Sequence, residues 1–217
     1  MTLANLDLKE KIRAILPLYN EEVHIIAKKS IKKVSDLKGH KVNIGPKNSG
    51  SEGTASILFK AFEILDVNVD QAPAAEAIDK LKQGKIDAMI LTAGAPVALL
   101  ESLPASLKKK IHLVPIKKEE FEKLNLGSFH YGSSTIPAKT YPWQPKAVET
   151  LVIPSVLLGD KGLSSTSVQK IINAVFKHLD ELKEKHPKWK NFSKEYAQGF
   201  YQINKDLFHE GAKKVLE

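Results

Sequence analysis

The chain has 217 residues, 42% hydrophobic and 27% charged, an ordinary globular composition with room for one large domain or two small lobes. It has no cysteine, which excludes disulfides and thiolate metal sites, and no run apolar and long enough to span a bilayer. A net charge of +8 would suit nucleic acid, yet Arg13 is the only arginine among 33 basic residues, and arginine reads bases and phosphates bidentately. The short lysine runs at 108–110 and 117–118 read as a solvated surface.

Residues 1–13 are charged and amphipathic and lack the apolar core of a secretion signal; 2–10 predict a short helix or a frayed start. Residues 12–18 and 23–27 are β-branched and apolar and predict two strands, separated by Tyr19, Asn20, Glu21 and Glu22. A short helix is expected over 31–37, closed by Gly39. A strand at 41–44 then leads through a turn rich in Gly, Pro, Asn and Ser into a helix that opens near Ser49 or Ser51 and runs to about Leu65. A strand follows at 67–70, then a helix at 74–83 with Ala74, Ala77, Ile78 and Leu81 on one face, ending at Gly84.

Residues 85–91 predict a buried strand, 96–103 a helix with Pro96 in its first turn, and 111–116 another strand. Alternation over 40–116 predicts parallel βαβ units. A helix is expected at 117–126. Residues 127–145 have no period and predict a long loop, and 149–158 a β run interrupted by Pro154. From Ser164 or Ser165 a long amphipathic helix runs to just before Pro187, with Val168, Ile172, Val175 and Leu179 on its stripe. Helices at 193–200 and 206–216 close the chain.

The turn at 45–51 organises the functional reading. Its glycines allow a tight turn and close approach of a ligand. The helix that opens there points unpaired N–H groups and its positive dipole end outward, a receptor for a carboxylate or phosphate. Ser49 and Glu52 equally fit a capping box, so a plain helix start and an anion receptor both stand open. Gly45 and Gly50 have phosphate-loop spacing, but Ser51 and Glu52 stand where Lys and Ser/Thr are required, and a carboxylate there repels phosphate.

In an open α/β lobe, ligands sit beyond the carboxyl ends of the strands, which brings the loop at 48–51 beside the loop at 92–94. Asn48, Ser49, Gly50 and Ser51 are the candidates to hold a ligand carboxylate, with Thr92 and Gly94 on the facing wall or else only forming a tight turn. Thr54, a turn along, packs. Glu52 either caps the helix or pairs with a ligand ammonium. Tyr131 and Tyr141, in the long loop, either close over a ligand or pack. The seven histidines have no metal-ligand spacing and no nucleophile elbow is present, so no metal, cofactor or catalytic residue is expected.

Several stretches recur in the order of one family. They are Ile12-Arg-Ala-Ile-Leu-Pro-Leu-Tyr19, Val23-His-Ile-Ile, Asp36-Leu-Lys-Gly39, Asn43-Ile-Gly-Pro, Ser49-Gly-Ser, Gly84-Lys-Ile-Asp-Ala88, Gly94-Ala-Pro96, Thr135-Ile-Pro137 with Tyr141-Pro142, and His209-x-Gly-Ala212. Over about 11–217 the chain resembles the TAXI-type TRAP transporter solute-binding proteins. The resemblance implies a periplasmic-binding-protein type II fold, α/β and two-lobed like a Venus flytrap, with ligand in the cleft. Residues 31–149 would form the second lobe, and 1–30 with 150–217 what remains of the first. On this resemblance the chain is expected to lack the family's secretion signal and opening glycine-rich strand-helix unit, and Glu210 stands where the closing motif usually has proline.

The function it implies is non-enzymatic. The protein would capture a small organic anion, such as a dicarboxylate or acidic amino acid, and deliver it to the membrane permease subunits of a TRAP transporter, in the periplasm. Exposed first-lobe strands would favour a homo-oligomer. The alternatives are a truncated, ligand-free interaction or immunogenic protein and an enzyme on the same scaffold; no nucleic-acid partner is expected.

Overall fold

A computed structural model describes residues 10–124 and 131–217. The two apolar runs near the start form one strand, β1 (Ile12–Lys28). The expected break at 19–22 is corrected: those four residues include neither glycine nor proline, and nothing in them compels a turn. The alternation that follows gives β2 (Lys41–Asn43), α1 (Gly50–Ala61), β3 (Asn68–Asp70), α2 (Ala74–Lys82) and β4 (Ala88–Ala93). β2 pairs parallel with both β3 and β4, as the βαβ pattern requires. The helix expected over 96–103 is only the short α3 (Ala98–Glu101), and an unexpected second short helix, α4 (Ala105–Lys108), follows with Pro104 as its N-cap.

β5 (Ile111–Leu113) runs antiparallel to the end of β1, with Ala27 opposite His112. After α5 (Lys118–Leu124), the stretch read as loop contains β6 (Gly132–Ile136). Its Gly-Ser-Ser-Thr-Ile sequence is too polar to announce a strand; antiparallel pairing with β7 (Val148–Asp160) makes it one. Positions 2–9 and 125–130 of the expected elements lie outside the described residues. The fold is mixed α/β, an open sheet carrying helices, with strand order β3-β2-β4-β1-β7-β6 and β5 also on β1. No helix among the described residues is long and apolar enough to cross a membrane.

The chain divides into two compact units, one of Glu21–Ile153 and one of residues 10–20 with Pro154–Glu217. In the first unit both sheet faces are covered. Val23, Ile25, Ala27, Ala88 and Ile90 face one apolar cluster, while Ile26 and Met89, shifted by one residue, face another. That is why these strands read as continuous apolar runs rather than alternating ones. Two carboxylates pin the strand ends. Asp70 accepts from Asn43 Nδ2 (2.7 Å) and Lys80 Nζ (2.7 Å). Asp87 accepts from Lys28 Nζ (2.5 Å) and the Lys41 amide (3.1 Å).

Burial acts to raise both carboxyls, but these donors outweigh it and hold each below the ordinary aspartate value. Because the folded pKa is the lower one, the stability they contribute is present above the unfolded value of about 3.9 and is lost as pH falls through the folded one. Urea midpoints followed downward from about pH 5 should therefore fall in the wild type. They should fall less steeply in Asp70→Asn; an unchanged acid limb would contradict the pairing.

The second unit is helical around one end of β1 and β7. Ser164 accepts from the Ser167 amide (3.1 Å) and opens α6 (Ser165–Lys177). The helix expected to reach Pro187 breaks at His178, whose imidazole meets Glu181 (2.8 Å) at the start of α7 (Leu179–Lys185). α8 (Lys194–Ile203) and α9 (Glu210–Leu216) complete the layer over Ala14, Leu16, Val168, Ile172, Phe192 and Tyr201. The His209-x-Gly-Ala212 motif has a structural role here. His209 Nδ1 accepts from the Gly211 amide (2.9 Å) and caps α9, and its own amide donates to Ala14 O (2.9 Å). A Cβ at Gly211 would lie 2.6 Å from Ser165 O, so only glycine lets α9 approach α6 this closely.

Candidate functional site

The site is built where β2 and β4 end and α1 begins, all within the first unit. Gly45 follows β2 with φ +82°, and Asn48 has φ +65°, a left-handed pair that folds the chain back on itself. Asn43 Oδ1 accepts from the Gly45 amide (3.2 Å) and fixes the first step of the turn. Ser49 is the N-cap of α1, its Oγ accepting from the Glu52 amide (3.2 Å). Glu52 reaches back one residue further than a standard capping box, because the Ser49 amide already donates to Pro46 O (3.1 Å). Its carboxylate takes the Asn48 amide (2.5 Å) and Gln71 Nε2 (2.5 Å) instead. The cap is therefore made, and both Glu52 oxygens are engaged by the protein.

The cap leaves two donors over. The amides of Gly50 and Ser51 have no acceptor among the described residues, and they open a 12-residue helix whose dipole points the same way. Beside them Ser51 Oγ accepts from the Thr92 amide (3.0 Å), which ties the end of β4 to the start of α1. Thr92 Oγ1 donates to Thr54 Oγ1 (3.0 Å), and Thr54 Oγ1 meets the Tyr131 hydroxyl (2.7 Å). Three hydroxyls joined by two hydrogen bonds leave one O–H hydrogen over. Thr54 and Tyr131 are buried, and burial pushes the Tyr131 phenol up, against the opposing hydrogen bond from Thr54. The phenol stays protonated and able to donate.

Of the predicted residues, the structure thus brings together Ser49, Gly50, Ser51, Thr92 and Tyr131, with Asn48 in the turn beneath them. Gly94 lies in the segment after β4, which Glu22 holds by accepting the Ala95 amide (2.7 Å). Tyr141 is elsewhere. It is fully buried, its ring stacks on Trp143 (5.6 Å), and its hydroxyl meets His24 Nε2 (2.7 Å) and accepts the Val97 amide (3.2 Å). Since His24 Nδ1 faces the Glu22 carbonyl (3.1 Å), Nδ1 carries the hydrogen and Nε2 accepts from Tyr141. Burial, with the nearby charges of Glu22 and Glu101, raises the Tyr141 phenol far above its usual range.

Two participants were not read as site residues from sequence. Thr54 lies one helical turn beyond Ser51, so the 3.6 period of α1 could have placed both on one face. Glu22 carried no such signal: it reaches the segment after β4 only because β1 pairs antiparallel with β4, putting Glu22 opposite Ala93. A separate groove of about 530 Å³, lined by His112, Pro115, Lys117, Trp143 and Lys146 among others, includes none of the residues of these loops. No group of three metal-ligating side chains occurs among the described residues.

A family profile described as the NMT1-like family matches residues 3–217. Among solved structures, similarity is found to an ancestral arginine-binding protein bound to arginine, with TM-score 0.46 and 19% identity, over 88% of this chain and 66% of that one. The substrate binding protein of an amino acid ABC transporter gives TM-score 0.46 and 16% identity, over 83% of this chain and 63% of that one. The periplasmic aliphatic sulphonate binding protein of Escherichia coli gives TM-score 0.40 and 15% identity, over 94% of this chain and 53% of that one. The chain therefore spans less than two thirds of the length of several structures it matches.

Proposed function

This chain belongs to the NMT1-like family, and from that premise we propose that it is a solute-binding receptor that holds a small organic anion at the α1 N-terminus. The observation that carries the reading is the pair of amides at Gly50 and Ser51, left without an acceptor among the described residues where the cap has already taken what it needs. A carboxylate or sulfonate placed there gains two charge-assisted hydrogen bonds and the helix dipole. The spare hydrogen of the Thr92–Thr54–Tyr131 chain supplies a third donor in the same neighbourhood. In this reading Asn48 and Ser49 shape the turn, Gly94 lines the facing wall, and Tyr141 keeps that wall in place from behind rather than touching the solute.

The finer reading is that the solute is a dicarboxylate or acidic amino acid and that the receptor serves a TRAP-type permease of the TAXI kind in the periplasm. The motif order from Ile12-Arg-Ala to His209-x-Gly-Ala212 supports it. The work is capture and delivery, with no bond made or broken.

The test is a thermal-shift and calorimetric screen of dicarboxylates, acidic and neutral amino acids and aliphatic sulfonates, repeated on Gly50→Pro. Proline is favoured at the first position of a helix, so this variant folds while losing one of the two donors. A charge-assisted bond of this kind is worth roughly tenfold to a hundredfold in affinity. Binding of an acid that weakens by that factor in Gly50→Pro is the expected result. No stabilisation by any acid, or binding indifferent to Gly50→Pro, would refute the assignment.

A further inference from the structure

We propose that the end of the first unit opposite the solute loops is a docking surface for an anionic phospholipid bilayer. In sequence the lysines look scattered, but the strand register collects them. The turn after β1 and the approach to β2, residues 28–41, carry six lysines; residues 82–87 before β4 carry two; residues 108–110 before β5 carry three. Backbone hydrogen bonds stitch these segments into one surface: Lys28 N to Asp87 O (3.0 Å), Lys29 N to Lys110 O (3.2 Å), Asp87 N to Lys41 O (2.8 Å) and Gly39 N to Asp66 O (2.6 Å). The last of these adds the final turn of α1 and the turn after it, with Lys60, Glu63 and Asp66.

This end therefore gathers twelve lysines against four carboxylates, an excess as large as the +8 of the whole chain. Two of the four are engaged within the protein, though both keep their charge and Asp87 takes Lys28 with it. Asp36 accepts the Lys32 and Lys33 amides (2.9 and 3.2 Å), and Asp87 is paired with Lys28. Lys29, Lys32, Lys33, Lys85, Lys109 and Lys110 are all exposed. The remaining residue that chooses the partner is Leu65, which is 92% exposed in the turn beside Asp66.

A protruding leucine at the edge of a lysine-rich end, flanked in its own turn by Glu63 and Asp66, fits a lipid interface: the apolar side chain enters the headgroup region while the ammonium groups of the adjoining segments meet anionic headgroups. Nucleic acid fits less well. The chain's one arginine, Arg13, lies outside this end, which leaves no guanidinium here for bidentate phosphate or base contacts, and no solvent-exposed aromatic ring stands in these segments to stack a base. The parallel strands β2 and β4 carry the solute loops at their carboxyl ends and these lysines at their amino ends, so solute binding is not required for docking.

The experiment is co-sedimentation of the full chain with phosphatidylcholine vesicles, with and without phosphatidylglycerol, at low and high salt. Retention on the anionic vesicles alone, lost on raising salt, is expected. Reversing Lys29, Lys32 and Lys110 to Glu, a change of six charges, should weaken it by at least about a hundredfold. Leu65→Ser should weaken it further, while Lys183→Glu with Lys185→Glu, in the second unit, should leave it unchanged. Circular dichroism confirms that each variant is folded. Absence of retention on anionic vesicles, retention indifferent to the three reversals, or stronger salt-sensitive retention on duplex DNA that survives Leu65→Ser would each overturn the proposal.

Discussion

Phe208→Ala should destabilise the second unit by about 3–5 kcal/mol, a large fraction of what holds a domain of this size together. The ring is 1% exposed and sits edge-on to Tyr201 (5.3 Å) and Phe200 (6.2 Å). The backbone at this position also bridges to Ala14 in β1, and the next amide, of His209, donates to Ala14 O. Removing the ring therefore leaves a cavity at the point where the C-terminal segment is fastened to the sheet, and the neighbouring strand cannot collapse into it without giving up those bonds. The chain's two tryptophans report separately, Trp143 from the first unit and Trp189 from the second. In a Trp143→Phe background, Trp189 fluorescence against urea measures the loss directly. Phe208→Leu, which keeps most of the volume, should cost about 1 kcal/mol. A loss under about 1 kcal/mol for Phe208→Ala would mean that this segment is not packed as described.

What could be read from sequence follows from what is local. Strands β2 and β4 and helices α1 and α2 are announced by apolar runs, glycine stops and the 3.6 period, and the turn at 45–51 by glycines whose backbone demands are local too. Ser49 as a cap is legible because capping is decided within four residues. The unread parts are all made by partners distant in sequence. β6 has no apolar pattern and exists through β7; Glu22 meets the Ala95 amide through the β1–β4 register. Tyr141 shows the limit from the other side. An aromatic in a Gly/Pro-rich stretch reads equally as a lid or as core, and only the contacts with His24 and Trp143 decide for the core. The lysines behave the same way, dispersed along the chain and gathered by the strand starts.

The same reasoning separates two effects at Gly45. Its φ of +82° costs a non-glycine residue about 1–2 kcal/mol. In addition, a Cβ there would lie 2.9 Å from Ser49 Oγ and 3.0 Å from Ser51 Cβ. The Ser49 hydroxyl could rotate only by giving up the Glu52 amide it caps, and the Ser51 Cβ cannot move without shifting α1. Crowding of this kind adds about 1–3 kcal/mol, so Gly45→Ala should cost about 2–5 kcal/mol in all. Gly84 provides the reference: its φ is +74°, nearly the same, but nothing lies within 4 Å of a Cβ built on it. Gly84→Ala should therefore cost only the backbone part, about 1–2 kcal/mol. Urea denaturation of the two variants in a Trp189→Phe background, followed by Trp143 fluorescence, measures the difference, and that difference is the tightness with which the turn is held against the start of α1. Because the crowding displaces Ser49 and Ser51, Gly45→Ala should also weaken binding of any acid found in the solute screen, whereas Gly84→Ala should not. Equal losses of stability in the two variants would mean that the turn has slack, and that the Gly50 and Ser51 amides are not held in the fixed geometry that anion capture requires.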